Sequence, residues 1–428
     1  MAPLLAGVGR SIITPHDGVP MSGYANRELS HGVHDDLNAR AVVLDNGTNR
    51  LALCSVELLW QRKEDTDQVR QAVAARCALR PAEIFLFTTH THSGPLSYQP
   101  ENWDFPLFER VADAIVTAYD SRQPARLGNG FGQLYGYNIN RRWINRPADP
   151  SIGVMRVDRA DGSPLALLGN YACHAVVMGA DNLKISGDWP GYASRILENE
   201  MGAGTVALFS QGGAGDVNPL TETVRQRLAA GHPISAIGEV SNYYGYQPDA
   251  PDAWNIGDRA GGTFFECETL ARAYSAEVIR VWRRIVTEPA VAMWAEQVTV
   301  EGAVGPEEPP AAGMEPDGII TSFGSISGSS LPMDIRLIGI GSAVFLGEPG
   351  EVFSETAIEF RKHAQQLGYS HPWLISYANG SYAYLPPANA FPEGGYEVKW
   401  ALGLGISRHL QDRIAAAIDP LLTRHAPR

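Results

Sequence analysis

Apolar residues along this chain fall into two patterns, short continuous runs and stripes at helical spacing, and the two alternate. Ile84-Phe-Leu-Phe87 is apolar throughout and bounded by Pro81, the pattern of a strand covered on both faces. Val42-Val-Leu-Asp45 and Leu51-Ala-Leu-Cys-Ser-Val56 are similar runs separated by Asn46-Gly47, a strong hairpin signal. Between 65 and 79, Val69, Ala72, Val73 and Cys77 recur at i, i+3, i+4 and i+8, with Arg76 interrupting the stripe. That spacing predicts an amphipathic helix. A second helix is expected near 107–120, strands near 126–137 and 151–158, and an apolar strand Leu165–Ala172 running into Cys173-His174. Ser186-Gly-Asp188-Trp-Pro190 reads as a helix start, with Asp188 as N-cap and Pro190 in the first turn. Val206–Phe209 reads as a strand and 266–286 as a helix. Ile335–Gly341 and Ala343–Leu346 predict an antiparallel pair, with helices following over 353–363 and near 405–423.

Alternating elements before 290 and β-rich sequence after 330 predict an α/β fold, mixed β-sheets with flanking helices in one large domain over 1–428. It divides into an α/β part of about 1–300, a Gly/Pro-rich connection at about 302–330, and a β-rich part with a C-terminal helix at about 331–428. The polar and aromatic stretch 221–262 is long for a connection inside such a domain, which makes it a lid candidate.

Composition narrows the function. A hydrophobic share of 44% with 19% charge is ordinary for a globular chain, and a net charge of −13 argues against nucleic acid or an anionic membrane as partner. Cys54, Cys77, Cys173 and Cys267 form no CxxC pair and read as reduced core residues. The N-terminus lacks the features of a signal peptide, and no run is long enough to span a membrane. These features predict a cytoplasmic protein without stable membrane insertion, with a small-molecule substrate; a homo-oligomer is compatible with them.

The chemistry starts at His90-Thr-His92-Ser-Gly-Pro95. Two imidazoles two residues apart, directly after a buried strand, share a face if the backbone stays extended, and imidazole suits zinc and its neighbours. His174 likewise follows an apolar strand. Glu351, in Gly347-Glu-Pro-Gly-Glu351, follows another, although an acid there can also cap the next helix. Tyr384 and Tyr396 flank Pro386-Pro387 and Gly394-Gly395, in sequence too rich in turn residues to read as core. Gln211-Gly-Gly-Ala-Gly215 lacks both the P-loop Lys and the dinucleotide fingerprint, and reads as tight backbone near the site.

From Gly7-Val-Gly-Arg10 to Tyr396-Glu397 the chain resembles the N-terminal catalytic domain of the neutral (alkaline) ceramidase family. The resemblance rests on Gly32-Val-His-Asp35, Thr89–Pro95, Asn138-Ile-Asn-Arg141, Ala172-Cys-His174, Ser186-Gly-Asp188, Gly215-Asp-Val-Asn-Pro219, Pro349-Gly-Glu351, Tyr384 and Tyr396-Glu397. It implies a zinc ion held by His90, His174, Glu351 and Tyr384, with His92, Arg141 and Tyr396 lining the reacting centre. Where that family carries a Ser, this chain has Asn218, which excludes a Ser nucleophile there and leaves Asn218 as a hydrogen-bond donor to substrate. The resemblance implies zinc-dependent hydrolysis of a carbon–nitrogen amide bond by metal-activated water, and the substrate expected for this chain is an unidentified small soluble N-acyl compound rather than membrane ceramide. His92 is assigned to proton transfer, Arg141 and Tyr396 to the oxyanion. Asp188 is assigned either to capping or to orienting a ligand histidine. An esterase or lactonase with the same centre, and a catalytically silent metal-containing binding protein, are the alternatives.

Overall fold

The computed structural model describes residues 2–24, 27–95, 97–143, 145–229, 262–304 and 330–427. Most of the lid candidate (230–261) and of the Gly/Pro-rich connection (305–329) therefore lies outside the described residues.

Strands β1 (Leu5–Ile12), β2 (Asn38–Asp45), β3 (Arg50–Val56), β4 (Ile84–Thr88), β5 (Gln123–Gln133), β6 (Asn138–Asn140), β7 (Ser151–Arg159), β8 (Pro164–Tyr171) and β9 (Val206–Gln211) occupy the N-terminal half. All but β6 form one sheet, in the order β4-β3-β2-β1-β5-β7-β8-β9. Side chains alternate between two cores. Ala39, Ala41 and Val43 of β2 face an outer core, while Val42 and Leu44 face an inner one. Ile84/Leu86 and Phe85/Phe87 of β4 divide the same way. The unbroken apolar runs in the sequence are the consequence of burial on both faces.

Helices α1 (Lys63–Ala74) and α2 (Leu107–Asp120) cover one half of the outer face, and α3 (Asp188–Met201) and α5 (Phe264–Trp282) the other. Between the latter two lies α4 (Glu222–Ala229). The inner face packs on a second sheet made of β11 (Met293–Glu301), β12 (Pro332–Ile340), β13 (Ala343–Gly347) and β15 (His371–Ile375), in that order. Ile338, Phe345, Trp373 and Ile375 join Leu44, Phe85 and Phe87 in the core between the sheets. Burying each such side chain contributes roughly 1.5–3 kcal/mol. Trp373 stacks on Phe345 with ring centroids 4.3 Å apart and presses on Gly153, where a Cβ would fall 2.1 Å from its ring. Helices α6 (Ser354–Gln366), α7 (Tyr396–Gly403) and α8 (Leu410–His425) pack with the far face in a third core. The layers run helix, sheet, sheet, helix, which is the expected α/β class with mixed sheets. No helix among the described residues is long and apolar enough to cross a membrane.

Two short ladders complete the frame: β10 (Val217–Pro219) on β6, and β14 (Glu351–Val352) on β16 (Tyr384–Leu385). Three parallel crossovers decide where the chemistry lies: β3-α1-β4, β8-α3-β9 and β13-α6-β15. Ligands in α/β sheets bind beyond the carboxyl ends of such strands, and the chain after β4, β8 and β13 carries His90, His174 and Glu351. β4 and β8 are far apart in strand order, yet they deliver to one point because the sheet curls. Ser55 Oγ on β3 donates to Phe209 O on the opposite edge strand β9 at 2.6 Å.

Several sequence expectations are corrected. The first helix stops at Ala74, just before Arg76 breaks its apolar stripe, and the last begins at Leu410 rather than 405. Asp188 is not the N-cap: Gly187 is, and Asp188 is the first helical residue. Glu351 lies in a strand, the following helix being capped by Phe353. Tyr384 is buried in β16 and not in an exposed turn. The hairpin at 42–56, the strand and helix over 84–120 and the antiparallel pair at 335–346 stand as expected.

Candidate metal centre

His90 leaves β4 in a conformation strands do not use. The strand ends at Thr88, and His90 has φ +64°. Hydrogen bonds from Thr89 N to Val56 O and from His90 N to Leu58 O, both 3.0 Å, hold it there. His90 and His92 therefore meet through a left-handed turn, not by sharing the face of an extended strand. Such a residue costs roughly 1–3 kcal/mol and persists only where its surroundings fix it.

His174 is fixed from two sides: its N–H donates to Val217 O at 3.1 Å, and its carbonyl accepts from Trp189 Nε1 at 3.0 Å. Gln211, at the end of β9, ties both histidine segments together. Its Nε2 donates to Thr89 O (3.2 Å) and Cys173 O (2.7 Å), and its Oε1 accepts from Cys173 N (3.3 Å).

Four donor atoms converge. His90 Nε2 lies 3.2 Å from His174 Nε2 and 3.1 Å from His92 Nε2. Glu351 Oε2 lies 3.1 Å from His174 Nε2 and 3.5 Å from His90 Nε2. His90 Nδ1 pairs with Leu59 O at 2.8 Å and His174 Nδ1 with Ala214 O at 2.6 Å. A carbonyl only accepts, so both Nδ1 atoms carry the proton and both Nε2 atoms turn lone pairs inward when the rings are neutral. Burial, then the Arg141 charge, holds His174 down at about 4. Burial, then the neighbouring His90 and His174, holds His92 well below the usual imidazole range. Burial opposes the charge on Glu351, but the His90 and His174 contacts outweigh it and keep the carboxyl well below the usual range.

Lone pairs packed this closely repel unless a positive charge lies among them. A shared proton serves one pair; a metal ion serves all. Two ligands at 2.0–2.1 Å from a tetrahedral zinc stand about 3.3 Å apart, close to the separations seen. The ring nitrogens of His90, His92 and His174 lie close enough together to hold a metal ion, and Glu351 Oε2 adjoins two of them. The residues present fit a metal.

His92 differs from the other two. Its ring is half-buried, and its Nδ1 is buried without a partner. It packs against Gly23 (φ +92°), where a Cβ would lie 2.4 Å from Nδ1, and tilts against Tyr24 with centroids 5.0 Å apart.

The wall beside the cluster is built on β6, β10 and β16. The fully buried Arg141 donates from Nη2 to Tyr384 Oη (2.9 Å), from Nε to Glu397 Oε1 (2.7 Å) and from Nη1 to Asn218 Oδ1 (3.4 Å). Burial opposes its charge, but Tyr384, Glu397 and Glu351 outweigh this and keep the guanidinium protonated. Asn218 is buried and its Nδ2 has no partner, so a donor waits in the wall. Tyr396 starts α7, half-buried, with its ring 5.5 Å from that of Tyr384. The structure thus brings together all eight residues singled out in the sequence, in two adjoining groups. Asp188 serves backbone groups. Its carboxylate accepts from Val177 N (3.3 Å), Met178 N (3.0 Å) and Trp189 N (2.7 Å), pinning the chain after His174 to α3.

Three residues of the site were given no role in the sequence reading. Tyr377 stacks on His90 with centroids 4.0 Å apart and donates to Glu351 Oε2 at 3.3 Å. Glu397 joins Arg141 to Arg142 Nη1 (2.7 Å). Gln211 was noted only as the start of a glycine run. No local pattern marks Tyr377 or Gln211; Glu397 stands next to Tyr396 and was open to notice.

The profile of the neutral/alkaline non-lysosomal ceramidase N-terminal family matches residues 4–233. The chain belongs to that family. Similar members include neutral ceramidase B of Dictyostelium discoideum, 30% identical over 288 residues, which is 58% of this chain and 39% of that protein. Another is the neutral ceramidase of Pseudomonas aeruginosa, 27% identical over 51% of this chain and 37% of its own. The match thus spans well under half the length of these ceramidases. The crystal structure of the Pseudomonas aeruginosa neutral ceramidase superposes on all of this chain and 74% of its own, with a TM-score of 0.75 at 19% identity. That likeness shows a common fold, and it extends past residue 233 to the part carrying Glu351, Tyr384 and Tyr396.

Proposed function

We propose that this protein is a zinc-dependent hydrolase that cleaves the carbon–nitrogen bond of an N-acyl amide. One observation carries the reading: acceptor atoms of His90, His174 and Glu351 converge beside a wall of protonated Arg141 and an unpartnered Asn218 Nδ2. A cation-seeking nest next to a buried guanidinium and one amide donor that faces no partner suits a substrate carbonyl gaining negative charge.

His90, His174 and Glu351 would hold the ion, with Tyr384 as fourth ligand. When bound, a zinc ion supplies Lewis acidity, making water more acidic and a carbonyl more electrophilic. The remaining work falls to the chain. Leu59 O and Ala214 O fix the tautomers of His90 and His174. His92 has no acceptor fixing its Nδ1, so it is free to exchange tautomers and to carry a proton at Nε2 toward the leaving nitrogen. Arg141 and Tyr396 stabilise the developing oxyanion, a role worth about 3–4 kcal/mol per well-aimed donor. Asn218 orients the substrate through Nδ2 and supplies no nucleophile.

The relatives are named for ceramide, and the substrate proposed for this chain is the wider acyl-amide class. A panel of ceramide, short N-acyl amides and the matching esters, assayed before and after chelation and zinc return, tests it. The reading predicts amide hydrolysis that chelation abolishes and zinc restores. Ester cleavage alone would make the protein an esterase, and no turnover with metal bound would make it a silent metal protein.

A further inference from the structure

Away from the metal centre, a cleft of about 520 Å³ opens between α6, α8 and the turn after β13. Five carboxylates line it, Glu348, Glu355, Glu359, Asp412 and Asp419, and no lysine or arginine does. His363 pairs with Asp419 at 2.7 Å, and Asn389 Nδ2 donates to both oxygens of Glu355 at 3.1 and 3.0 Å. Burial, then repulsion from Glu355, raises the Glu359 carboxyl, with Lys362 opposing and Asp412 adding to it, so these acids feel one another's charge.

Glu348 distinguishes this cleft from an ordinary acidic surface. Its side chain is fully buried. Oε2 accepts from Gln411 Nε2 at 2.9 Å, while Oε1 has no partner. Burial pushes its carboxyl up to about 7, and the un-ionised form still leaves a hydroxyl without an acceptor. A buried polar atom left without a partner is costly, and a donor arriving in the cleft would relieve it. The adjoining walls are apolar, from Leu346, Phe360, Ile414 and Ile418. Among the described residues these carboxylates do not come together as a group that could hold a metal ion.

The geometry points to a binding site for an organic cation of the alkylammonium class, its ammonium donating to Glu348 Oε1 and its chain lying on Phe360 and Ile414. The acids at the rim supply attraction and the apolar wall holds the stem, a division of labour usual in small-molecule pockets. This inference does not rest on the hydrolase reading, since the cleft shares no residue with the metal centre.

The test is calorimetric titration of the full chain with hexylammonium, with hexanol as the uncharged control. The amine is expected to bind and the alcohol not. Glu348→Gln is expected to weaken the amine by at least about tenfold, and the rim variant Asp412→Asn by about two- to threefold, with added salt weakening it further. His90→Ala is expected to leave it unchanged. Should Glu348→Gln fail to fold, Asp412→Asn and Glu359→Gln read the same site. The inference is overturned if the amine does not bind or hexanol binds as well as hexylammonium. It is also overturned if the cleft variants change nothing, or if His90→Ala abolishes binding, which would put the amine at the metal centre.

Discussion

Glu351 and Tyr384 are register partners in the two-residue parallel ladder of β14 and β16. Paired residues project to the same face, so a carboxylate and a phenol distant in sequence are set side by side by backbone hydrogen bonds. Glu351 Oε2 faces the histidines, and Tyr384 Oη accepts from Arg141. The ladder is the joint between the donor cluster and the wall beside it. Burial raises the Tyr384 phenol well above its usual range, Arg141 opposes this, and Glu351 adds to it.

Gln211 is expected to act through the two histidines. Gln211→Leu removes both clamps and leaves Thr89 O, Cys173 O and Cys173 N without their partner. Zinc affinity should fall by about 10–100-fold, as for other groups that orient metal ligands. A competition titration against a chelator of known affinity measures this, and unchanged affinity would show that the backbone alone sets the rings.

Glu397→Gln should separate positioning from metal binding. It removes the charge facing both Arg141 and Arg142, and breaking a buried pair costs roughly 3–5 kcal/mol of stability. Zinc content should stay as in the parent, while kcat falls toward the roughly 10²-fold loss typical of a missing oxyanion donor. Loss of zinc in this variant would show that the wall and the cluster are one unit.

Asn218→Ala tests the unpartnered Nδ2. It should lower kcat/KM by about 10-fold or more, the effect of losing a hydrogen bond to a charged transition state, and leave metal content alone. Asn218→Ser bears on the departure from the family residue. If Asn218 acts only as a donor, Ser should restore part of the loss in Asn218→Ala and should not exceed the parent.

The pH dependence of the metal-free protein follows from His174. Its folded value, about 4, lies below the usual 6.5, so the unfolded chain binds the proton more readily between those values. Its contribution is fully present above about pH 6.5 and is lost as pH falls toward 4, a change on the order of 3 kcal/mol. Glu348, pushed up to about 7 by burial, and Asp188 and Asp216, pushed up to about 6 by burial, act with the opposite sign. The comparison is therefore between parent and His174→Gln in denaturant titrations from pH 4 to 7. The variant should lose less stability on acidification; parallel curves would count against a neutral buried His174.

Much of this was legible in the sequence because burial on two faces writes itself as unbroken apolar runs. Ile84–Phe87 and Leu165–Tyr171 announced their strands, and His90, His174 and Glu351 announced themselves by following such runs. The left-handed turn at His90 was not legible, since it is imposed by Val56 at the end of β3 and Leu58 just beyond it. Nor was the ladder that buries Tyr384, because two residues per strand are too few to show a period and the flanking prolines and glycines imitate a surface loop. Gln211 acts across the curl of the first sheet, and Tyr377, just after β15 of the second sheet, reaches His90 and Glu351; no local spacing encodes either contact. The resemblance to the ceramidase family supplied Tyr384 and Arg141 where local pattern did not.

The most direct test is the metal content of the purified protein beside that of His90→Ala and Glu351→Ala. The account predicts stoichiometric zinc in the parent, lost in both variants together with amide hydrolysis, while both variants remain folded by circular dichroism. A parent that carries no transition metal on isolation and takes none up on addition, or variants that keep theirs, would contradict it.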